Sequence, residues 1–276
     1  RLALLALEAG ADALRINPGN IGSKLKIREV IRAARDRHTP IRIGVNAGSL
    51  EKELLARYGG ATAQALAESA LRHVRILEDM DYREIKISVK ASDVPRTVQA
   101  YRLLARATDY PLHLGVTESG TLLAGSVRSA AALGILLAEG IGDTIRVSLA
   151  ETPGREIRTG LEILRSLGLR PPGASVLACP TCGRTAIDVI AIAHQIEEAL
   201  AKLETRHAGA VWPRVAVMGC VVNGPGEARE ADIALAGGKG KAAIYSGGVY
   251  RCTVPAKRIV PVILRQVREF LKKSGF

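Results

Sequence analysis

The chain has 276 residues, of which 47% are apolar but only 3% aromatic, so its core must consist mainly of aliphatic side chains. That composition is typical of parallel sheets covered by helices, and the length is sufficient for one or two domains. The net charge of +12 indicates an anionic partner (nucleic acid, a membrane surface or a phosphorylated metabolite), although a solvated basic surface is the simpler alternative.

Cysteine content and hydropathy exclude two further classes. Four cysteines are too few for a disulfide scaffold, and a Cys-x-x-Cys pair indicates metal or redox chemistry in a reducing compartment. The longest apolar run, near residues 130–138, has about half the length of a membrane span, and the opening residues do not form a signal peptide. We therefore expect a cytoplasmic protein. Because the chain begins at Arg1 inside a helical pattern, we also expect a fragment.

Strand and helix patterns alternate over residues 1–169. The predicted strands are 11–17, 41–47, 84–91, 112–118 and 144–150. The predicted helices are 24–37, 61–79, 93–108, 121–139 and 155–167. Such repeated units predict an α/β fold with a parallel sheet, either an open doubly wound sheet or a barrel. Residues 170–173 (Arg-Pro-Pro-Gly) are typical of a linker.

Residues 174–276 have a different pattern, which predicts a small α+β domain. A short strand precedes Cys179, and a helix is predicted at 186–203. A strand at 214–218, a glycine-rich hairpin at 234–245 and a closing helix at 257–273 follow.

Polar side chains share one face of every predicted strand of the first domain, because successive side chains alternate between faces. On this face lie Arg15 and Asn17, Arg42 and Asn46, Lys86, Ser88 and Lys90, His113 and Thr117, and Arg146 and Ser148. The opposite face is apolar almost throughout. Burying an unpaired charge is costly, and acidic residues are scarce on these strands, so a pocket for a multiply charged anion is favoured over a network of internal ion pairs. The glycine-containing turn at 17–22 precedes a helix and is a weaker candidate for binding phosphate.

Three cysteines and a glycine-rich loop form a candidate metal site. The segment 179–182 (Cys-Pro-Thr-Cys) places two thiolates near one centre, and Cys220 follows the next strand, ahead of 223–227 (Asn-Gly-Pro-Gly-Glu). A four-cysteine zinc site usually has a second Cys-x-x-Cys pair, which the sequence lacks, whereas an iron–sulfur cluster tolerates an irregular third position. Spacing alone leaves iron–sulfur, zinc and inert buried thiols open. Cys252 is more typical of a small buried apolar residue.

Segments 179–182 and 219–227 resemble the C-terminal signature of the 4-hydroxy-3-methylbut-2-enyl diphosphate synthase family of the non-mevalonate isoprenoid pathway. Segments 14–22, 42–49, 88–93 and 142–148 resemble its barrel motifs. The resemblance implies the last five strands of a TIM-like barrel at 1–169 and a ferredoxin/sulfite-reductase-like cluster domain at 174–276. It also implies that upstream strand–helix units are missing, so we expect residues 1–276 alone to fold poorly and to be inactive.

The resemblance further implies an iron–sulfur oxidoreductase. Its reaction is the reductive ring opening and dehydration of 2-C-methyl-D-erythritol 2,4-cyclodiphosphate, with two electrons delivered through a [4Fe–4S] cluster. The implied cluster ligands are Cys179, Cys182, Cys220 and Glu227, with Asn223 at the cluster edge. The implied substrate ligands are Arg15, Asn17, Arg42, Asn46, Lys90, Arg146 and Ser148. Glu118 is implied as a proton donor, and Glu227 counts among the catalytic residues because its iron can open to substrate.

The implied partners are reduced flavodoxin or ferredoxin as the electron donor and a second copy of the chain. In the family one subunit's cluster covers the other subunit's barrel. A nucleic-acid partner is disfavoured, because aromatic side chains for base stacking are nearly absent and the cations lie at strand ends. No membrane partner is expected.

Overall fold

The computed structural model describes residues 1–17, 24–207, 209–222, 226 and 230–275. The chain divides into two compact units, Arg1–Leu169 and Arg170–Phe276, and each has its own hydrophobic core. The predicted cluster residues Asn223 and Glu227, and most of the predicted turn at 17–22, lie outside the described residues. None of the described helices is both long enough and apolar enough to span a membrane.

The first unit alternates strands and helices. Its described strands are β1 (Leu14–Ile16), β2 (Ile41–Asn46), β3 (Ile85–Lys90), β4 (His113–Leu114) and β5 (Thr144–Ile145). Its described helices are α1 (Leu2–Glu8), α2 (Lys24–Arg35), α3 (Lys52–Tyr58), α4 (Ala63–Glu78), α5 (Val94–Ala107), α6 (Leu122–Ala138) and α7 (Pro153–Ser166). The caps follow ordinary chemistry. Thr62 accepts a hydrogen bond from the Ala65 N–H at the start of α4, and Asp93 accepts one from the Arg96 N–H at the start of α5.

All five strands run parallel and follow the order of the chain. β1, β2 and β3 form one sheet, and β4 pairs with β5 in a second. A single bridge between Ile87 and Leu112 connects β3 to the segment leading into β4. This order is the one that successive strand–helix units with crossovers of one hand produce.

The predicted apolar face is the buried face. Ile41, Ile43 and Val45 of β2 are at most 1% exposed, and the same parity is buried in β3. Apolar side chains of α4 and α5 belong to the same core. The helices therefore cover one side of the strands, and the polar side chains are left on the other side.

A tyrosine of α5 fixes the spacing between β3 and β4. The Tyr101 side chain is fully buried. Its hydroxyl donates to the His113 carbonyl oxygen at 2.5 Å and accepts from the Val89 N–H at 3.2 Å. Burial raises the pKa of this phenol, so it remains a neutral donor and acceptor. One side chain thus joins β3 to β4 at the place where the ladder between them is reduced to a bridge.

The extents predicted for the fourth and fifth strands are wrong, since β4 and β5 pair over only two residues each. Glu118 has a φ of 53°, which ends the extended conformation of the segment after β4. The Ser119 hydroxyl donates to the Ser148 carbonyl oxygen, so a side-chain hydrogen bond takes the place of a longer ladder. The described strands do not form a closed barrel.

The helix α3 was not predicted from the sequence. This helix of seven residues ends at Gly59, whose φ of 67° lies in the left-handed region. Glycine just after a helix is a common C-terminal cap, so the Gly59-Gly60 pair was the available signal.

The second unit is a mixed five-stranded sheet. Its strands are β6 (Ser175–Ala178), β7 (Arg214–Met218), β8 (Ile233–Gly238), β9 (Lys241–Ser246) and β10 (Val249–Pro255). They lie in the order β6-β7-β8-β9-β10; the first three are parallel and the rest antiparallel. Apolar side chains of α8 (Val189–Glu204) and α9 (Ile259–Lys273) pack on this sheet.

The strand β10 was not predicted. It forms the edge of the sheet, and most of its side chains are exposed. Its pairing with β9 shifts by one residue between Tyr250 and Cys252. An exposed, bulged edge strand lacks the regular alternation from which strands are recognised in a sequence.

Candidate functional site

The polar face of the first unit contains a small cationic cavity of about 140 Å³. Five of its lining residues belong to the predicted anion site: Arg15, Arg42, Asn46, Lys90 and Arg146. Ser88 and Thr117 complete the lining. Parity placed both on this face, although neither was among the predicted substrate ligands. No described residue of the lining is acidic, so three guanidinium groups and one ammonium group share the cavity without a counter-ion.

Burial and the neighbouring cations both disfavour the charged forms of Lys90 and Arg42. Burial, followed by the charges of Arg146, Arg42 and Arg15, lowers the pKa of Lys90 to about 7. Burial also lowers the pKa of Arg42, with further contributions from Arg15 and Arg146. Lys90 is only 5% exposed. A buried ammonium held among three other cations is the arrangement that an incoming anion stabilises most strongly.

Two glycines on the polar face make room for the cations. A Cβ atom on Gly44 would lie 2.3 Å from the Arg15 Nε, and the Arg15 guanidinium donates to the Gly44 carbonyl oxygen at 3.2 Å. A Cβ atom on Gly115 would lie 2.5 Å from the Arg146 carbonyl oxygen and 3.1 Å from the Lys90 Nζ. This role was not predicted from the sequence, although the alternation of side chains places both glycines on the same face of the strands as the cations.

Replacement by alanine is expected to have different effects on anion binding and stability at Gly44 and at Gly115. Gly44→Ala displaces a flexible side chain, so we expect weaker anion binding with little loss of stability. Gly115→Ala meets backbone, so we expect a loss of about 1–3 kcal/mol in the free energy of unfolding. Gly134→Ala, with no atom within 4 Å of the new Cβ, is the control. Urea unfolding and substrate titration measure both quantities, and equal stability losses at positions 44 and 115 would contradict this interpretation.

Two of the predicted substrate ligands, Asn17 and Ser148, do not line the cavity. Ser148 accepts a hydrogen bond from the Arg146 guanidinium at 2.8 Å, so it orients that side chain. Asn17 donates to the Ser49 hydroxyl at 2.8 Å and is not among the residues that line the cavity. Glu118 is exposed in the loop after β4. Its left-handed backbone is held by flanking hydrogen bonds, including the one from the Arg128 guanidinium to the Ser119 carbonyl oxygen at 2.7 Å.

His113 is a neutral group whose pKa is influenced by the cations of the cavity. Its Nδ1 is 2.8 Å from the Thr144 hydroxyl, whereas its Nε2 is buried without a hydrogen-bond partner among the described residues. Burial, then the charges of Lys90, Arg42, Lys86 and Arg146, lowers its pKa to about 3. His113 therefore adds no charge to the cavity near neutral pH.

The cysteines lie at the carboxyl ends of neighbouring strands of the second unit. Cys179 directly follows β6, and Cys220 is buried two residues after β7. The Gly219 N–H donates to the Cys179 sulfur at 3.1 Å. Backbone N–H donors of this kind stabilise a thiolate ligand. β6 and β7 are adjacent in the sheet, so its topology brings these two cysteines to one end.

Cys182 lies in the turn that follows Cys179 and is exposed. Its own N–H donates to the Thr185 hydroxyl at 2.9 Å. The Arg184 N–H, followed by the Thr185 hydroxyl, lowers the pKa of the Cys182 thiol. A thiol with a lowered pKa is more readily deprotonated, and the thiolate is the form that binds metals.

Close backbone packing leaves no room for side chains between β7 and β8 beside the cysteines. A Cβ atom on Gly237 would lie 2.6 Å from the Gly219 carbonyl oxygen, and one on Gly219 would lie 2.9 Å from a methyl group of Val189. The Ala186 N–H donates to that Gly219 oxygen at 2.9 Å. These contacts hold the chain immediately before Cys220 in one position.

Cys252 is excluded from the same centre by the register of the sheet. It lies level with Ile244 on β9, which pairs with Leu235 on β8, which in turn pairs with Val217 on β7. Three strand spacings of about 4.8 Å separate it from β7 by roughly 14 Å. A zinc site made of all four cysteines is therefore ruled out.

The described donors fit an iron–sulfur cluster better than a single ion. Within the described parts of the chain, no three Cys, His, Asp or Glu residues are grouped closely enough to hold one metal ion. In a cluster each cysteine binds a different iron, so its ligands are spread over a larger centre. Three thiols, with N–H donors at Cys179 and Cys182, are suited to being ligands of such a cluster.

Comparison with known proteins identifies the family of the chain. Residues 1–161 match the GcpE TIM-barrel domain, and residues 175–269 match the GcpE protein C-terminal domain. A protein of Geobacter sulfurreducens is 55% identical over 99% of this chain and 76% of its own length. Proteins of Anoxybacillus flavithermus and Bacillus subtilis are 52% and 51% identical over 97% of this chain, and over 72% and 69% of their own lengths. All three are named 4-hydroxy-3-methylbut-2-en-1-yl diphosphate synthase (flavodoxin). The chain belongs to the GcpE family.

Proposed function

We propose that this protein is an iron–sulfur oxidoreductase that converts 2-C-methyl-D-erythritol 2,4-cyclodiphosphate into 4-hydroxy-3-methylbut-2-enyl diphosphate. The reaction takes up two electrons and two protons, opens the ring and releases one water molecule. The observation that carries the proposal is the cationic cavity without an acidic lining residue, in a chain that also has free cysteines after two adjacent parallel strands. The relatives named for this activity match nearly the whole chain.

The first unit binds and orients the diphosphate. The proposed ligands are Arg15, Asn17, Arg42, Asn46, Lys90, Arg146 and Ser148. The guanidinium groups present paired N–H donors to phosphate oxygens, while the Lys90 ammonium acts as a point charge. Because these cations are already crowded together, little reorganisation accompanies binding, and the substrate anion relieves their repulsion. The five parallel strands would form part of a barrel wall whose polar face looks inward.

The second unit holds the redox centre. Cys179, Cys182, Cys220 and Glu227 are the proposed ligands of a [4Fe–4S] cluster, with Asn223 as a hydrogen-bond donor at its edge. When bound, the cluster supplies the two electrons of the reaction one at a time. A carboxylate is a harder and more easily displaced ligand than a thiolate, so Glu227 is suited to the iron that opens to substrate oxygen.

Glu118 is the proposed source of a proton. A carboxylic acid close to the leaving hydroxyl would protonate it as water departs. Two observations support this role. Glu118 is exposed next to Thr117, which lines the cavity, and it adopts a backbone conformation that is rare for residues other than glycine. Such strain is often found at functional positions.

We also propose flavodoxin as the electron donor and a homodimer as the working form. Flavodoxin is named in the relatives' titles. Val221 and Val222, directly after Cys220, are 59% and 61% exposed. An exposed apolar pair beside a redox centre is suited to being covered by another protein surface, and the partner subunit's barrel is the proposed cover.

Anaerobic turnover tests the proposed function. The full-length protein, reconstituted anaerobically, is mixed with the cyclic diphosphate and dithionite, and the reaction is followed by ³¹P NMR. We expect the ring signals to give way to those of a linear diphosphate, with two electrons consumed per substrate. An unchanged substrate spectrum with a fully loaded and reduced cluster would contradict the proposal.

A further inference from the structure

Four cations lie on two turns at one end of the sheet of the second unit. We call them the basic turn surface: Lys239 and Lys241 at the β8–β9 turn, and Lys257 and Arg258 between β10 and α9. All four are exposed. None of them takes part in an ion pair with another described residue. Their charges are therefore available to a partner.

The backbone holds the two turns together. Pro255 of β10 pairs with Lys241 of β9, and the Ala256 N–H donates to the Gly240 carbonyl oxygen at 3.0 Å. Ile259, the first residue of α9, is fully buried directly after Arg258. The basic turn surface is thus a defined feature of the fold, in which two chain segments present like charges side by side.

This surface lies at the same end of the sheet as the cysteines. β6, β7 and β8 are parallel, so the residues after each of them meet at one edge, and Gly238 at the end of β8 pairs with Lys241. Lys241 is two strands from β7, and Pro255 is three. At about 4.8 Å per strand, the basic turn surface lies roughly 10–14 Å along the sheet from the chain that carries Cys220.

We infer that the basic turn surface is the docking site for an acidic electron-carrier protein of the flavodoxin type, an inference that rests on the proposed function. A carrier docked there brings its flavin close to the redox centre. Exposed charges on a fixed backbone speed the encounter and orient the partner without making the complex tight, which suits a carrier that must leave after each electron. Electron-transfer complexes are typically small and transient for this reason.

The surface is distinct from the parts already assigned. Val221 and Val222 follow β7, whereas the cations follow β8 and β10, so flavodoxin and the proposed partner subunit need not compete for the same residues. The aromatic pair Tyr245–Tyr250 belongs to the opposite ends of β9 and β10. The cations therefore lie at the other end of these strands from this aromatic pair, and aromatic rings are what single-stranded nucleic acid stacks on.

The test uses matched charge reversals in the reconstituted protein. Lys239→Glu/Lys241→Glu changes the docking surface. Lys272→Glu/Lys273→Glu makes the same charge change at the far end of α9, about 20 Å along the helix axis. The first readout is the affinity of oxidised flavodoxin, which needs no turnover. The second is turnover driven by reduced flavodoxin, and the third is turnover driven by dithionite, which needs no docking.

We expect the 239/241 variant to bind flavodoxin at least about tenfold more weakly than wild type at low salt and to lose a similar factor in kcat/KM for reduced flavodoxin. Its dithionite-driven rate should be unchanged, and the 272/273 variant should match wild type in every readout. Salt should weaken the wild-type affinity more than that of the 239/241 variant. Equal flavodoxin affinities for the 239/241 variant and wild type would overturn the inference. If dithionite drives no turnover in the wild-type protein, the proposed function is overturned instead.

Discussion

We expect Cys220→Ala to eliminate turnover and to prevent the protein from retaining iron and sulfide, and Cys252→Ala to leave both unchanged. Cys220 is buried at the end of β7, next to the Gly219 N–H that binds the Cys179 sulfur. Removing its thiolate leaves a cluster with too few ligands, because only Cys179 and Cys182 remain near β7 and Cys252 lies three strands away. Cys252 packs in the core of the second unit, roughly 14 Å from β7.

Cys220→Ala and Cys252→Ala form a matched pair of variants, because each removes one partly or fully buried thiol from the second unit. Iron and acid-labile sulfide analysis after anaerobic reconstitution, with turnover on the same samples, gives the comparison. Thermal unfolding of both unloaded variants shows whether either change acts through stability alone. A Cys220→Ala protein that retains a full cluster, or a Cys252→Ala protein that loses it, would contradict the assignment.

We expect the affinity for the cyclic diphosphate to decrease as the pH rises above about 7, and Lys90→Gln to remove this dependence while weakening binding at lower pH. In the free protein the pKa of Lys90 is about 7, because burial and three arginines disfavour its charged form. A bound diphosphate favours the charged form and raises that pKa. Below pH 7 the ammonium is already present; above it, binding must take up a proton, so the dissociation constant rises by up to tenfold per pH unit.

Lys90 accounts for this pH dependence. Arginine guanidinium groups in general stay protonated far above this range, and His113, with a pKa near 3, remains neutral. Each phosphate of the ring carries a single strongly acidic proton, so the ligand also stays ionised. Calorimetry in two buffers of different ionisation enthalpy measures the proton uptake directly. A wild-type affinity that is flat from pH 6.5 to 9, or a Lys90→Gln protein that keeps the slope, would contradict the role assigned to Lys90.

Alternation along the strands was enough to predict the cationic cavity. Arg42 and Lys90 could be placed on a common face because side chains of a strand alternate and because the parallel strands align in chain order. What alternation did not show was how such groups are accommodated. Gly44 and Gly115 create the space, and their importance depends on distances across neighbouring strands that no local pattern contains.

The fourth and fifth strands were predicted less well, because a side-chain hydrogen bond there takes the place of backbone pairing between the strands. The loop after β4 turns at Glu118 and is fastened to the loop after β5 by the Ser119 hydroxyl, so extended sequences there do not pair as strands. At β10 a register shift and an exposed edge removed the pattern. Because β6 and β7 are adjacent and parallel, the topology brings Cys179, Cys182 and Cys220 to one end of the sheet. The spacing of the cysteines alone did not decide which metal they bind.

The measurement that tests the central claim most directly is the iron and acid-labile sulfide content of the anaerobically reconstituted protein, with EPR of its reduced form. We predict close to four irons and four sulfides per chain and the EPR signal of a reduced [4Fe–4S] cluster. One tightly bound zinc without sulfide would contradict the claim. The first unit would then be an anion-binding domain in a protein that has no redox centre.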